Sequence, residues 1–381
     1  MEKEEFTLRQ LIFYFLKLGA TVFGGPLAPL AYIRKDLVDT RHWVSNRDFN
    51  VGLSLAQFTP GPLTTQVIMF LGWLHGGVRG ATLAGGAYTL PAFLMVIVAA
   101  DCYLRFAGIP WLQGASYGVR AAVIAIIAQN AFYLCRQTLR HDPLLWFVAL
   151  VNAALIMWLH TGILLAFLLS GLLVLGIRTF LNRETTIAIS SLPMFVWLFN
   201  GENGQATSES LGQIAWFFIK AGTIVFGGGL AILPYLQQGV VYDFHWLTEH
   251  QFLDAVAVAM VTPGPLLISV AFIGYLIAGL AGAITATIAT LLPCYILVIT
   301  IAPYYHKNSQ HPHMISFAKG ISSAAIGALA GASVMLAMAA FVDTYVIALS
   351  ALCLSALVFL RVPGVFLIVL TGGIGVLLKG G

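Results

Sequence analysis

Phe58-Thr59-Pro60-Gly61-Pro62 interrupts an otherwise apolar run. Two prolines around a glycine do not belong in a helix interior. Each proline lacks a backbone donor and collides with the preceding turn, and the glycine loosens what remains. The pattern returns as Val261-Thr262-Pro263-Gly264-Pro265, 203 residues on (263 − 60). Two more breaks precede these, Phe23-Gly24-Gly25-Pro26 and Phe226-Gly227-Gly228-Gly229. Each break frees backbone N–H groups or exposes the end of a half-helix. A helix N-terminus carries roughly half a positive charge and is a ready anion site. Thr59 and Thr262 add hydroxyls, as N-caps or as ligands. Kinks for close packing would account for one such break. Four breaks in symmetric pairs point to a binding site.

Cations in an apolar segment are costly and are functional candidates. Lys17 and Lys220 each stand six residues before their Phe-Gly-Gly, and Arg120 lies near the start of an apolar segment. The alternative for each is snorkelling to the membrane interface. Of the acidic residues, Asp101 sits close to a helix end. Asp254 falls in the first turn of a helix, where the dipole accounts for it. The balance favours cations and hence an anionic ligand. The expected substrate-binding set is Lys17, Phe23, Gly24, Gly25, Thr59, Pro60, Gly61, Pro62 and Arg120, with Lys220, Phe226, Gly227, Gly228, Thr262, Pro263, Gly264 and Pro265.

Other chemistry finds no residues to carry it. There is no HExxH, no paired-aspartate motif and no Ser/Lys dyad, so an intramembrane enzyme is the weaker alternative. Cys102, Cys135, Cys294 and Cys353 form no CxxC pair, so no metal or cofactor is expected. No phosphate-binding loop is present, so transport driven by ATP on this chain is not expected. A secondary transporter, driven by the membrane potential or an ion gradient, fits best.

The elements that position these residues must be membrane helices. The chain has 381 residues, 59% hydrophobic and 9% charged, with mean hydropathy +0.90. Soluble domains carry about 25% charged residues. Long apolar runs predict an all-α, polytopic membrane protein in contact with lipid. The net charge of +4 is spread over loops, which argues against a nucleic-acid partner and for topology. No cleavable signal peptide is expected. Residues 181–210 turn polar and read as a linker between a first repeat, 1–180, and a second, 211–381.

The repeat runs through detail. At offset 203, Lys220 answers Lys17, Trp246 answers Trp43 and Phe252 answers Phe49; at 202, Pro293 answers Pro91 and Gly320 answers Gly118. Ser45-x-x-Asp48 and Thr248-x-x-Gln251 read as equivalent helix starts, each after a tryptophan. From Asn46 to Phe58 a helix reaches roughly 20 Å, past the middle of a core about 30 Å thick. The equivalent polar stretches differ in charge. Arg34, Lys35, Arg41 and Arg47 lie in the first, whereas 237–250 has no Lys or Arg and carries Asp243 and Glu249. Basic loops stay in the cytoplasm, so the halves are expected to be inverted, with broken or re-entrant helices and 10–12 spans.

The paired Phe-Gly-Gly and Thr-Pro-Gly-Pro motifs, at this spacing in both halves, resemble the chromate ion transporter family in its long-chain, two-domain form. The resemblance implies export of chromate across the bacterial inner membrane, with sulfate as a related oxyanion, and halves of opposite orientation. Transport of sulfate or another oxyanion is the alternative. A homodimer is left open.

Overall fold

The computed structural model describes residues 6–23, 27–106, 109–140, 142–159, 163–182, 211–225, 229–305, 312–340, 344–360 and 362–379. Every regular element among them is helical, the all-α architecture expected. Gly24, Gly25, Phe226, Gly227, Gly228 and most of the linker, 183–210, lie outside the described residues.

Helix α1 (Leu8–Thr21) opens on a Thr7/Gln10 capping box. Helix α2 (Leu27–Ile33) widens into a π-helical stretch, Arg34–Thr40. Helix α3 (Asn46–Phe58) starts where Ser45 Oγ accepts the Asp48 N–H at 3.0 Å. Helix α4 (Leu63–Phe106) bends at Gly76 and Gly77. Then come α5 (Pro110–Leu139), α6 (Pro143–Leu159) and α7 (Ile163–Asn182).

The second series follows the first. It comprises α8 (Leu211–Ile224), α9 (Leu233–Gln237) with its π-helical stretch Gln238–Asp243, and α10 (Glu249–Val261) behind a Thr248/Gln251 capping box. Helix α11 (Ser269–Tyr305) bends at Ala278 and Gly279. Helices α12 (Pro312–Ala340), α13 (Thr344–Ser355) and α14 (Gly364–Lys379) complete it. Even unusual local geometry recurs: His42 and His245 have φ of 52° and 53°, a region costly for any side chain. Each ring places Nδ1 against the carbonyl four residues earlier, Val38 O at 2.9 Å and Val241 O at 2.8 Å.

Residues 63–75 turn back along α3, since Gly52 presses on the Phe70 ring. After the bend the chain reverses again, with Gly72 against Gly80 and Met69 against Gly85. Helix α3 and residues 63–75, 13 residues each, reach roughly 20 Å apiece, less than a hydrocarbon core about 30 Å thick. Phe6 stacks on Trp43 at 4.8 Å and meets His75 at 4.4 Å. The start of α1, the end of the α2 segment and the foot of the α4 hairpin therefore share one layer, and the breaks sit at the opposite, inner end.

The two series interlock. Helices α4 and α11 run antiparallel, because Thr82 Oγ1 lies 2.7 Å from Tyr295 OH while Tyr275 OH donates to Asp101 Oδ1 at 3.1 Å. Helix α5 packs on α14 through Gly118 against Thr371 and Gly375. Helix α12 packs on α6 through Gly327 at Ala149 and Gly331 at Ala153. It also meets α7, where Gly320 lies against Ser170 and Gly171. Thus each series supplies a long helix to the last two helices of the other. Small residues let the backbones approach that closely. The segments Leu63–Phe106, Gln113–Arg136 and Leu266–Pro303 are long and apolar enough to cross a membrane. Large apolar side chains such as Val98, Leu150, Leu352 and Phe359 face outward, as lipid-facing residues do.

Candidate functional site

The Thr-Pro-Gly-Pro breaks lie between half-helices. Helix α3 stops at Thr59 and α4 begins at Leu63; α10 stops at Thr262 and a 3-10 turn begins at Leu266. Proline cannot extend the incoming helix, and the glycines take φ of 142° at Gly61 and 102° at Gly264. A side chain at either position is strained. A Cβ on Gly61 would collide with Gln66, and one on Gly264 would crowd Ala92.

The threonines are not N-caps, which corrects one expected role. Thr59 Oγ1 donates to Leu55 O at 2.8 Å and Thr262 Oγ1 to Val258 O at 2.7 Å. They sit at the C-terminal ends of the incoming half-helices and add a second bond to carbonyls that the Thr59 and Thr262 N–H groups also reach, each at 3.0 Å. The glycine amides are also engaged. Gly61 N–H donates to Val225 O at 2.5 Å, and Gly264 N–H donates to Val22 O at 3.2 Å. Position 61 corresponds to 264 and 22 to 225, each 203 apart. Each proline-flanked break thus bonds to the residue just before the other series' Phe-Gly-Gly, and the described parts of all four breaks converge.

Sequence reasoning missed Gln66. Its Nε2 donates to Pro60 O at 2.7 Å and to Thr59 Oγ1 at 3.0 Å, so one amide holds the first break in shape. Its Oε1 has no protein partner. The same holds for Ser269 Oγ, 203 residues on, and for Thr65 Oγ1, Tyr88 OH and Thr89 Oγ1. Buried polar groups are nearly always satisfied by protein, water or ligand, so each of these oxygens is a candidate contact for a polar occupant. The signal was a glutamine four residues after Pro-Gly-Pro in a largely apolar run. The first break is wholly buried, while Thr262 and Gly264 keep partial exposure.

The cations divide. Lys17 is exposed. Lys220 is half-buried, with its ammonium 5.0 Å above the exposed Trp216 ring. Both positions suit snorkelling. Phe23 is 48% exposed. Arg120 is drawn inward: its Nε lies 3.5 Å from Asp254 Oδ1. Tyr103 OH donates to Asp254 Oδ2 at 2.9 Å. Asp254, which the helix dipole alone seemed to explain, is 5% exposed and bridges α10 to α4 and α5.

Broken half-helices among lipid-length apolar helices are the features of a membrane transport protein. The chain belongs to the chromate transporter family, whose sequence profile matches residues 9–176 and 212–376. It is 46% identical over 341 residues to a chromate transport protein of Cupriavidus metallidurans, covering 89% of this chain and 84% of that one. It is 44% identical to a probable chromate transport protein of Synechococcus elongatus, covering 98% and 96%. A chromate transport protein of Pseudomonas aeruginosa is 30% identical, covering 86% and 80%. No solved structure matches the chain.

Proposed function

We propose that the chain exports chromate, a sulfate-like tetrahedral dianion, across the bacterial inner membrane by alternating access. Residues 1–180 and 211–381 act as two inverted, multi-pass repeats joined by 181–210. The observation that carries this reading is the reciprocal pair of hydrogen bonds from Gly61 to Val225 and from Gly264 to Val22. This cross-bonding supports a binding site for the dianion beside the breaks, with the unpartnered hydroxyls of Thr65 and Ser269 on the segments that follow them and Arg120 as the inward-turned cation. Equivalent helices that run antiparallel, as α4 and α11 do, support opposite orientations of the repeats. So does the charge difference between the stretch that holds Arg34, Lys35, Arg41 and Arg47 and its equivalent, 237–250, which holds Asp243 and Glu249 and no Lys or Arg.

Rocking of one repeat against the other would expose the centre to each side in turn. Outward movement of two negative charges down a potential of about 100 mV, inside negative, releases about 4.6 kcal/mol. That sustains roughly a thousandfold concentration ratio, so the potential alone suffices as driving force.

The test is uptake into inside-out vesicles carrying the full chain. Labelled chromate should accumulate when the interior is made positive, and unlabelled sulfate should compete if the site reads the shared oxyanion chemistry. Gly61→Leu and Gly264→Leu should abolish uptake at normal membrane abundance. Accumulation of neither anion by the wild type, or full uptake by both variants, overturns the reading.

A further inference from the structure

The Arg120–Asp254 pair has no counterpart in the other half of the fold. The equivalent positions hold Ser322 (120 + 202) and Val51 (254 − 203), both buried. Helices α12 and α3 are therefore built without it, and the architecture does not require an ion pair there. Its geometry is not that of a structural clasp either. Charge-assisted N–H···O bonds run about 2.7–2.9 Å, whereas Arg120 Nε stands 3.5 Å from Asp254 Oδ1, and neither atom has a hydrogen-bond partner. Tyr103 anchors the carboxylate independently through Oδ2. The guanidinium side chain is 21% exposed and the carboxylate side chain 6%. An incoming anion can thus reach Arg120 while Asp254 stays where Tyr103 holds it. The pair also joins α5 of the first series to α10 of the second, roughly 12 Å along α10 from Thr262.

We propose that Asp254 is an internal competitor for the transported oxyanion: it occupies Arg120 in the empty protein, and the dianion displaces it. Displacement removes a charge contact between the two series, so that loading the site loosens the interface that must move. The inference rests on the transport reading above and assigns a specificity-setting role to Asp254 and a positioning role to Tyr103.

Chromate uptake into inside-out vesicles, measured across concentrations and normalised to transporter abundance, separates the outcomes. Asp254→Asn removes the competitor and should lower KM about tenfold, the factor that 1.4 kcal/mol of relieved competition gives. Arg120→Gln should raise KM, and Arg120→Gln combined with Asp254→Asn should match Arg120→Gln alone, because Asp254 acts only through Arg120. Tyr103→Phe leaves the whole carboxylate charge to Arg120 and should raise KM severalfold. If Asp254→Asn fails to insert, Tyr103→Phe decides. Unchanged KM in Asp254→Asn and Tyr103→Phe, or a KM drop that persists without Arg120, overturns the assignment while leaving transport intact. Absence of wild-type uptake instead overturns the transport reading itself.

Discussion

At the scale of single residues, Gln66 does what the prolines make necessary. Pro60 and Pro62 stop the helix, and the Pro60 carbonyl left at the break accepts from the Gln66 amide at 2.7 Å. Each buried acceptor left without a partner costs about 1–3 kcal/mol. Gln66→Leu is therefore expected to lower the melting temperature of the purified protein and to reduce chromate uptake at least tenfold. A Gln66→Leu protein with unchanged melting and uptake would show that the break holds its shape by backbone alone. Thr59 illustrates a limit of reading residue type. A threonine before proline could cap a helix at either end, and the direction in which its hydroxyl turns depends on the helix that is already there.

At the scale of elements, the helix starts were legible and the hairpins less so. Ser45 and Thr248 bond within three residues of themselves, so local sequence suffices to place α3 and α10 to the residue. The reversal of residues 63–75 onto α3 depends on Phe70 meeting Gly52, a contact no periodicity encodes. The glycines at crossings behave likewise. A Cβ on Gly118 would run into Thr371 and Gly375 of α14, so Gly118→Leu should force α5 away from α14. The expected outcome is loss of the monodisperse peak in size-exclusion chromatography in detergent, with little change in the peptide's ability to insert. Gly77, at φ 56° and ψ −142°, holds a conformation that side chains disfavour, so Gly77→Ala should destabilise the bend by about 1–3 kcal/mol of backbone strain although nothing lies near the added Cβ.

At the scale of the whole molecule, the crossed packing makes the two series mutually dependent. Helix α5 completes the bundle of α13 and α14, and α12 completes that of α6 and α7. Cutting the chain within 183–210 and producing both pieces together should restore uptake. Either piece alone should be degraded, which membrane abundance and uptake would measure. Stable, active single pieces would show that each series folds and transports on its own.

The amino-acid sequence by itself determined the membrane-helical class, the duplicated breaks, the helix starts and the preference for an anion. All of these rest on covalent limits of proline and glycine, on apolar length, or on bonds between residues a turn apart. Only the tertiary structure decided which atoms meet at the breaks. The Gly61 and Gly264 amides bond across series, Gln66 braces the first break, and Asp254 faces Arg120 from 134 residues away (254 − 120). Those partners are set by how two interlocked series pack, and packing is a property of distant surfaces meeting. It also sorted the cations, leaving Lys17 and Lys220 at positions that suit snorkelling and turning Arg120 inward, because burial depends on what lies opposite a side chain and not on its type.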